Sequence, residues 1–164
     1  MVKILVVGTA IALRVVGVAA AGAWGAGAFD NDDASDWVDA LVNQGNAELV
    51  YRALKQASEA SYIEAPLGSA AVAAAEVVAA LKGKPGRDLP THLTTWLKTQ
   101  HKIPTPEQVD LAVAVVQRVS RGPKSELQEL WSESDAHAWQ AAISDLLGRL
   151  GPRKSSNEPK SKAV

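Results

Sequence analysis

The sequence predicts an all-α fold: a single compact bundle of about six helices, with an N-terminal arm of glycine and aromatic residues packed on it. Three observations lead to this prediction. Apolar residues recur three and four positions apart along most of the chain, as one face of a helix requires. Capping residues and glycines stand where these runs begin and end. No stretch alternates apolar and polar residues as a half-buried strand would.

The composition fits one domain and excludes several functional classes. Of the 164 residues, 47% are hydrophobic, which is enough for a packed core. The absence of cysteine excludes disulfides, thiolate metal sites and a cysteine nucleophile. The formal net charge is −1, and residues 22–150 alone carry −6. The sequence therefore lacks the basic surface that nucleic-acid binding requires.

Three regions divide the chain: an apolar extension (1–21), a helical domain (22–150) and a basic tail (151–164). The extension has the length of a signal-peptide core, but Arg14 interrupts it, which disfavours a stable membrane span. It is either signal-like or the product of a mis-assigned start. The tail has almost nothing apolar to bury and is predicted to be disordered. We expect a cytoplasmic protein or, if the extension is a cleaved signal, an exported one.

The helical domain begins with an extended arm, because residues 22–29 contain three glycines that disfavour both helix and strand. Trp24 and Phe29 are expected to anchor this arm. The acidic run that starts at Asp30 then supplies a cap and first-turn acids for a helix that reaches about Asn43 and ends at Gly45.

The later helices follow from the same signals. They are predicted over about 47–61, 69–81, 88–100 and 105–120, with a last one from Ser125 that Asp135 can restart. Capping boxes open the helices after Thr105 and Ser125. The helix over 69–81 is apolar on every side except at Glu76, which places it in the middle of the bundle.

The stretch from Gly22 to Trp37, GAWGAGAFDNDDASDW, resembles the opening signature of a bacterial family, domain of unknown function 4259. Members of that family begin with Gly-x-Trp-Gly-x-Gly-x-Phe-Asp-Asn-Asp. The alanine-rich helix around Glu76 and the stretch from Ser125 to Leu150 are similar to its later blocks. The resemblance covers about 22–150 and implies no particular chemistry. Family members start just before the first glycine, so the extra 21 residues depart from the pattern.

Two interpretations of the acid cluster remain open. Asp30, Asp32, Asp33 and Asp36 lie within seven residues, and such oxygen-rich clusters bind Mg²⁺ or Ca²⁺. The spacing does not match an EF-hand loop. Alternatively, Asp30 or Asn31 caps the helix while the next acids complement its dipole. We favour the capping interpretation.

Glu76 is the second candidate acid, because a carboxylate inside an apolar helix is costly to ionise without a partner. It is the candidate catalytic residue if it acts as a general acid or base beside the acid cluster. Alternatively, it binds the amides of the arm or an arginine such as Arg52 and holds the arm in place. We favour this structural role.

These alternatives lead to two functional hypotheses. The preferred one is a non-enzymatic module of the accessory or immunity type that binds an unknown protein partner, with Trp24 and Phe29 as candidate contact residues. It requires no cofactor, no nucleic acid and no membrane span. The other is a divalent-metal-dependent hydrolase that uses Mg²⁺ or Mn²⁺, held by Asp30, Asp32, Asp33 or Asp36 together with Glu76.

Overall fold

The computed structural model describes residues 25–134 and 136–151. Within these residues there are helices and no strands, and one isolated parallel bridge joins Ile63 to Ser125. The all-α prediction is confirmed. The helices are α1 (Asp32–Gln44), α2 (Glu48–Glu59), α3 (Ala65–Leu81), α4 (Thr91–Leu97), α5 (Pro106–Arg121), α6 (Glu126–Ser132) and α7 (Ala136–Leu150).

Helix α3 lies at the centre of the bundle, as its uniformly apolar sequence predicts. All residues from 71 to 79 are buried, and α3 contacts α1, α2, α5, α6 and α7. Because most of these residues are alanines, five neighbours can approach its backbone closely. Glu76 is the one ionisable side chain within this buried stretch.

The ends of α1 and α5 are fixed by local capping and lie where the sequence predicts them. The Asn31 side chain accepts a hydrogen bond from the amide of Ala34 at 2.8 Å, and Gly45 ends α1 with a φ of 63°. At the start of α5, Thr105 and Gln108 form the predicted capping box, with each side chain accepting from the other's amide.

Three element boundaries differ from the prediction. α3 begins four residues before the expected Ser69, because a carboxylate oxygen of Glu126 accepts from the amide of Ala65 at 2.6 Å. α4 is a seven-residue helix, shorter than the predicted 88–100, and its N-cap is Pro90. The segment from Ser125 forms two helices, α6 and α7, so the described residues contain seven helices rather than about six.

Helix ends are also closed by side chains remote in sequence. Besides Glu126 at the start of α3, the Arg118 guanidinium donates to the carbonyls of Ala57 and Ser58 at 2.8 and 2.6 Å, which closes the end of α2. At the end of α7, Lys82 donates to the carbonyls of Leu150 and Gly151. Each contact satisfies carbonyl or amide groups that a helix end leaves without intrahelical partners.

The described part of the arm (25–29), which we now extend to include Asp30, packs on the bundle, with Phe29 partly buried against the core. Trp24, the extension (1–21) and the tail from Pro152 onwards lie outside the described residues. Among the residues that are described, no helix is both long and apolar enough to cross a membrane.

Candidate functional site

A cavity of about 440 Å³, which we call the arm cavity, separates the arm from the C-terminal half of α7. It brings together two of the candidate acids, Asp30 of the arm and Glu76 of α3. Its lining consists of Gly27, Ala28, Phe29, Asp30, Glu76, Gly86, Arg87, Asp88, Leu89, Ala142, Asp145 and Arg149.

The inner side of the arm cavity is formed by an ion pair between Glu76 and Arg149. Two guanidinium nitrogens of Arg149 donate to the two carboxylate oxygens of Glu76, at 2.7 and 2.5 Å. The side chain of Glu76 is only 9% exposed, and that of Arg149 is 16% exposed. Arg149 also donates to Asp145 at 2.7 Å and to the carbonyl of Lys84 at 3.3 Å. Glu76 therefore has a fixed, bidentate partner.

This geometry changes the expectation for Glu76. Its partner is Arg149 of α7, whereas Arg52, the arginine suggested from the sequence, is exposed on α2. Burial alone would lower the pKa of Arg149, but the hydrogen bonds and negative charges of Glu76 and Asp145 outweigh burial, so its pKa is raised. The guanidinium is thus held in its charged form beside Glu76.

The loop after α3 covers this ion pair closely. A Cβ atom added at Gly86 would lie 3.0 Å from a carboxylate oxygen of Glu76 and 3.6 Å from a guanidinium nitrogen of Arg149. A side chain at this position would make a tight contact with the Glu76 carboxylate, which glycine avoids. Gly86 therefore lets the loop after α3 lie against the ion pair.

The glycines of the arm have a similar role around Asp30. The Asp30 carboxylate accepts from the amide of Gly27 at 3.0 Å. A Cβ atom at Gly27 would lie 2.7 Å from the same oxygen, and one at Gly25 would collide with it as well. The described part of the arm signature is thus a turn folded around one carboxylate.

The other acids of the cluster do not converge on the arm cavity. Asp32 and Asp36 are exposed on α1. Asp33 lines a separate cavity of about 40 Å³, beside the stacked rings of Trp131 and Trp139. Its pKa is raised by burial and then by the negative charges of its two acidic neighbours on α1. Among the described residues, no three metal-ligating side chains are grouped closely enough to hold a metal ion.

A second recess, which we call the α5–α7 groove, was not predicted from the sequence. Its volume is about 770 Å³, and Ile103, at its edge, is 78% exposed. The sequence contains two signals for this groove. Val109 and Val113 are apolar residues of α5 outside its predicted buried face, and Ile103 lies between two predicted helices. The groove is lined by Lys82, Ile103, Pro104, Pro106, Val109, Asp110, Val113, Gln117, Leu147, Leu150 and Gly151.

The comparison with protein families shows which family the chain belongs to. A family model described as a domain of unknown function (DUF4259) matches residues 22–142. The chain belongs to this family. The DUF4259 match includes Asp30, Glu76 and the whole of α5, whereas Arg149 lies beyond its last matched residue. No curated protein and no solved structure matches the chain.

Proposed function

We propose that this DUF4259 protein is a non-enzymatic interaction module that binds a protein partner at the α5–α7 groove. The observation that carries the proposal is the exposure of Ile103, 78%, at the edge of a recess with a largely apolar lining. A contiguous apolar patch that water covers in the free protein is typical of a contact surface.

The arm side of the bundle is a weaker candidate for this surface. Phe29 is partly buried against the core, so its ring is not presented in full to a partner. Asp30 is occupied by the turn of the arm, and Glu76 is occupied by Arg149. Both carboxylates therefore already accept hydrogen bonds from within the chain.

The shape of the groove indicates what the partner presents. Walls from α5 and α7 enclose about 770 Å³, enough for several side chains. Val109 and Val113 line it one helical turn apart, with Leu147 of α7 also in the lining. An apolar helix face or an extended segment with two or three apolar side chains fits such a recess.

In-cell photo-crosslinking tests this proposal. A photoreactive benzoylphenylalanine replaces Ile103 in the full chain, and a matched variant carries it at Tyr62, which is 42% exposed elsewhere on the surface. We expect discrete adducts from position 103 that disappear when Val113→Asp is added. Adducts shared equally by both positions, or none from position 103, would contradict the proposal.

One observation favours the alternative hypothesis of a metal-dependent hydrolase, because Asp30 and Glu76 line the same cavity. Against it, both carboxylate oxygens of Glu76 accept from Arg149, whose positive charge disfavours a cation there. Thermal unfolding in EDTA and then in excess Mg²⁺ or Mn²⁺ distinguishes the hydrolase from the interaction module. A metal at 100 times its Kd would add about 2.7 kcal/mol to the free energy of unfolding, and we expect no such gain.

A further inference from the structure

We propose that the partner which occupies the α5–α7 groove is a second copy of this chain, joined about a twofold axis so that Ile103 of each copy enters the groove of the other. This inference rests on the proposed function, because it names the partner of the same surface.

The first argument is that the same surface contains a projecting side chain and a recess that could receive it. In a twofold contact the same patch meets itself, so it must contain the projecting group and also the recess that receives it. Ile103 projects into solvent, and the largely apolar groove begins beside it. A patch with a projection alone would require a different surface as its partner.

The second argument is the distribution of charge around the groove. Lys102 is exposed immediately before Ile103. The acids Glu107 and Asp110 lie on the first turns of α5, and Asp110 lines the groove itself. When the isoleucine of one copy enters the other copy's groove, its lysine arrives beside the facing acids, and the same pairing occurs twice. Lys82 also lines the groove, and its ammonium donates to the carbonyls of Leu150 and Gly151 at the end of α7. The exposed Lys102 and the two acids make the patch complementary to itself in charge.

The third argument is that the projecting residue is held in position by its neighbours. Pro104 is buried directly after Ile103, and Pro106 is the first residue of α5. The two rings fix φ at both positions. Because the segment that carries Ile103 is ordered before association, little conformational entropy is lost when two copies meet.

The primary test is the mass of the full chain in solution. Light scattering after size exclusion, over a series from about 1 to 200 µM, is expected to show a concentration-dependent dimer. Ile103→Asp is expected to raise the dissociation constant at least about tenfold, since it places a charge in an apolar contact. Tyr62→Ser, at the other exposed large hydrophobic side chain of the described residues, is the matched control and leaves the dimer unchanged.

Folding of the variants is checked separately, because a misfolded variant would also lose the dimer. Ile103 lies outside the helices and is 78% exposed, so Ile103→Asp is expected to keep the native helical circular dichroism and unfolding midpoint. A chain that stays monomeric throughout the series overturns the proposal. So does a dimer that persists unchanged in Ile103→Asp.

A charge-exchange experiment tests the pairing between copies. Lys102→Glu or Asp110→Lys alone opposes like charges twice across the axis, and each variant is expected to dimerise several-fold more weakly. A mixture of the two restores both opposite-charge contacts, so it is expected to form a heterodimer with nearly native affinity. No recovery on mixing would overturn the proposed arrangement.

The two proposals fail in different ways. A crosslinked species from position 103 at twice the 17.2 kDa chain mass supports both proposals. Adducts with another protein, together with a monomeric purified chain, overturn the second copy as partner and leave the interaction module standing. No specific adduct and no dimer removes both.

Discussion

The arm cavity and the α5–α7 groove differ in whether the groups that line them already have partners. In the arm cavity, Glu76 and Arg149 are bonded to each other. Arg149 also donates to the carboxylate of Asp145 and to the carbonyl of Lys84. In the groove, the partly buried side chains of Val109, Val113 and Leu147 lie beside an isoleucine that is 78% exposed.

The arm cavity contains a contact that stabilises the fold, whereas the α5–α7 groove offers an apolar surface that no other element of the described residues covers. Polar groups that already satisfy one another gain little from a further ligand, and breaking such a buried pair is costly. Apolar groups in water gain free energy as soon as another surface covers them. The arm side is therefore where substitutions should affect folding, and the groove is where they should affect association.

The largest effect on folding is expected from Arg149→Ala, because it leaves Glu76 buried without a partner. We expect a loss of about 3–5 kcal/mol in the free energy of unfolding, measured by urea denaturation. Arg52→Ala, at an exposed arginine of α2, is the control and should change it by under about 0.5 kcal/mol. A loss below about 1 kcal/mol for Arg149→Ala would show that the ion pair is not essential.

A matched pair of glycine substitutions tests the arm turn. Gly27→Ala places a Cβ atom 2.7 Å from the Asp30 carboxylate, and we expect a loss of about 1–2 kcal/mol. Gly148→Ala, in α7 with nothing within 4 Å of its Cβ, should instead stabilise by about 0.5–1 kcal/mol. Thermal unfolding of both variants gives the comparison. Equal changes in the two would contradict a turn built around Asp30.

A smaller and pH-dependent effect is expected at Asp33. Its pKa is raised above the ordinary 3.8 by burial and by neighbouring acids, so its ionised form costs stability in the folded state. Asp33→Asn should therefore stabilise the protein at pH 7, within about 0.5 kcal/mol. The gain should disappear as the pH falls below the ordinary pKa. A gain that persists unchanged in acid would have another origin.

The smallest effect on folding is expected in the groove. Ile103→Asp should change the free energy of unfolding of the dilute chain by less than about 0.5 kcal/mol, because the side chain buries little in one copy. Leu146→Ala, at a fully buried residue of α7 nearby, should cost about 2–5 kcal/mol. A large loss for Ile103→Asp in the monomer would mean that the isoleucine serves the fold itself.

The features that the sequence predicted well are those with local causes. α1 ends before Gly45 because that residue adopts a positive φ, and α5 begins after Thr105 because Thr105 and Gln108 form a capping box. The central position of α3 follows from its composition, which leaves no polar face to expose. Each of these can be deduced from a short window of sequence.

The features that were missed depend on contacts between distant residues. Glu76 and Arg149 are 73 positions apart, and no local pattern distinguishes that arginine from Arg52. The start of α3 is set by Glu126, 61 positions after Ala65. The groove was missed because no local pattern shows whether Val109 and Val113, outside the predicted buried face of α5, are covered by another element.

The remote helix caps have a consequence for how the protein folds. The C-terminal ends of α2 and α7 and the start of α3 are closed by Arg118, Lys82 and Glu126, across 60 to 69 positions of the chain. These side-chain contacts form only when distant segments have assembled, so each of these helix ends should fray more in the isolated helix. Amide hydrogens at these ends should then exchange with solvent through the same global opening as the core, rather than ahead of it.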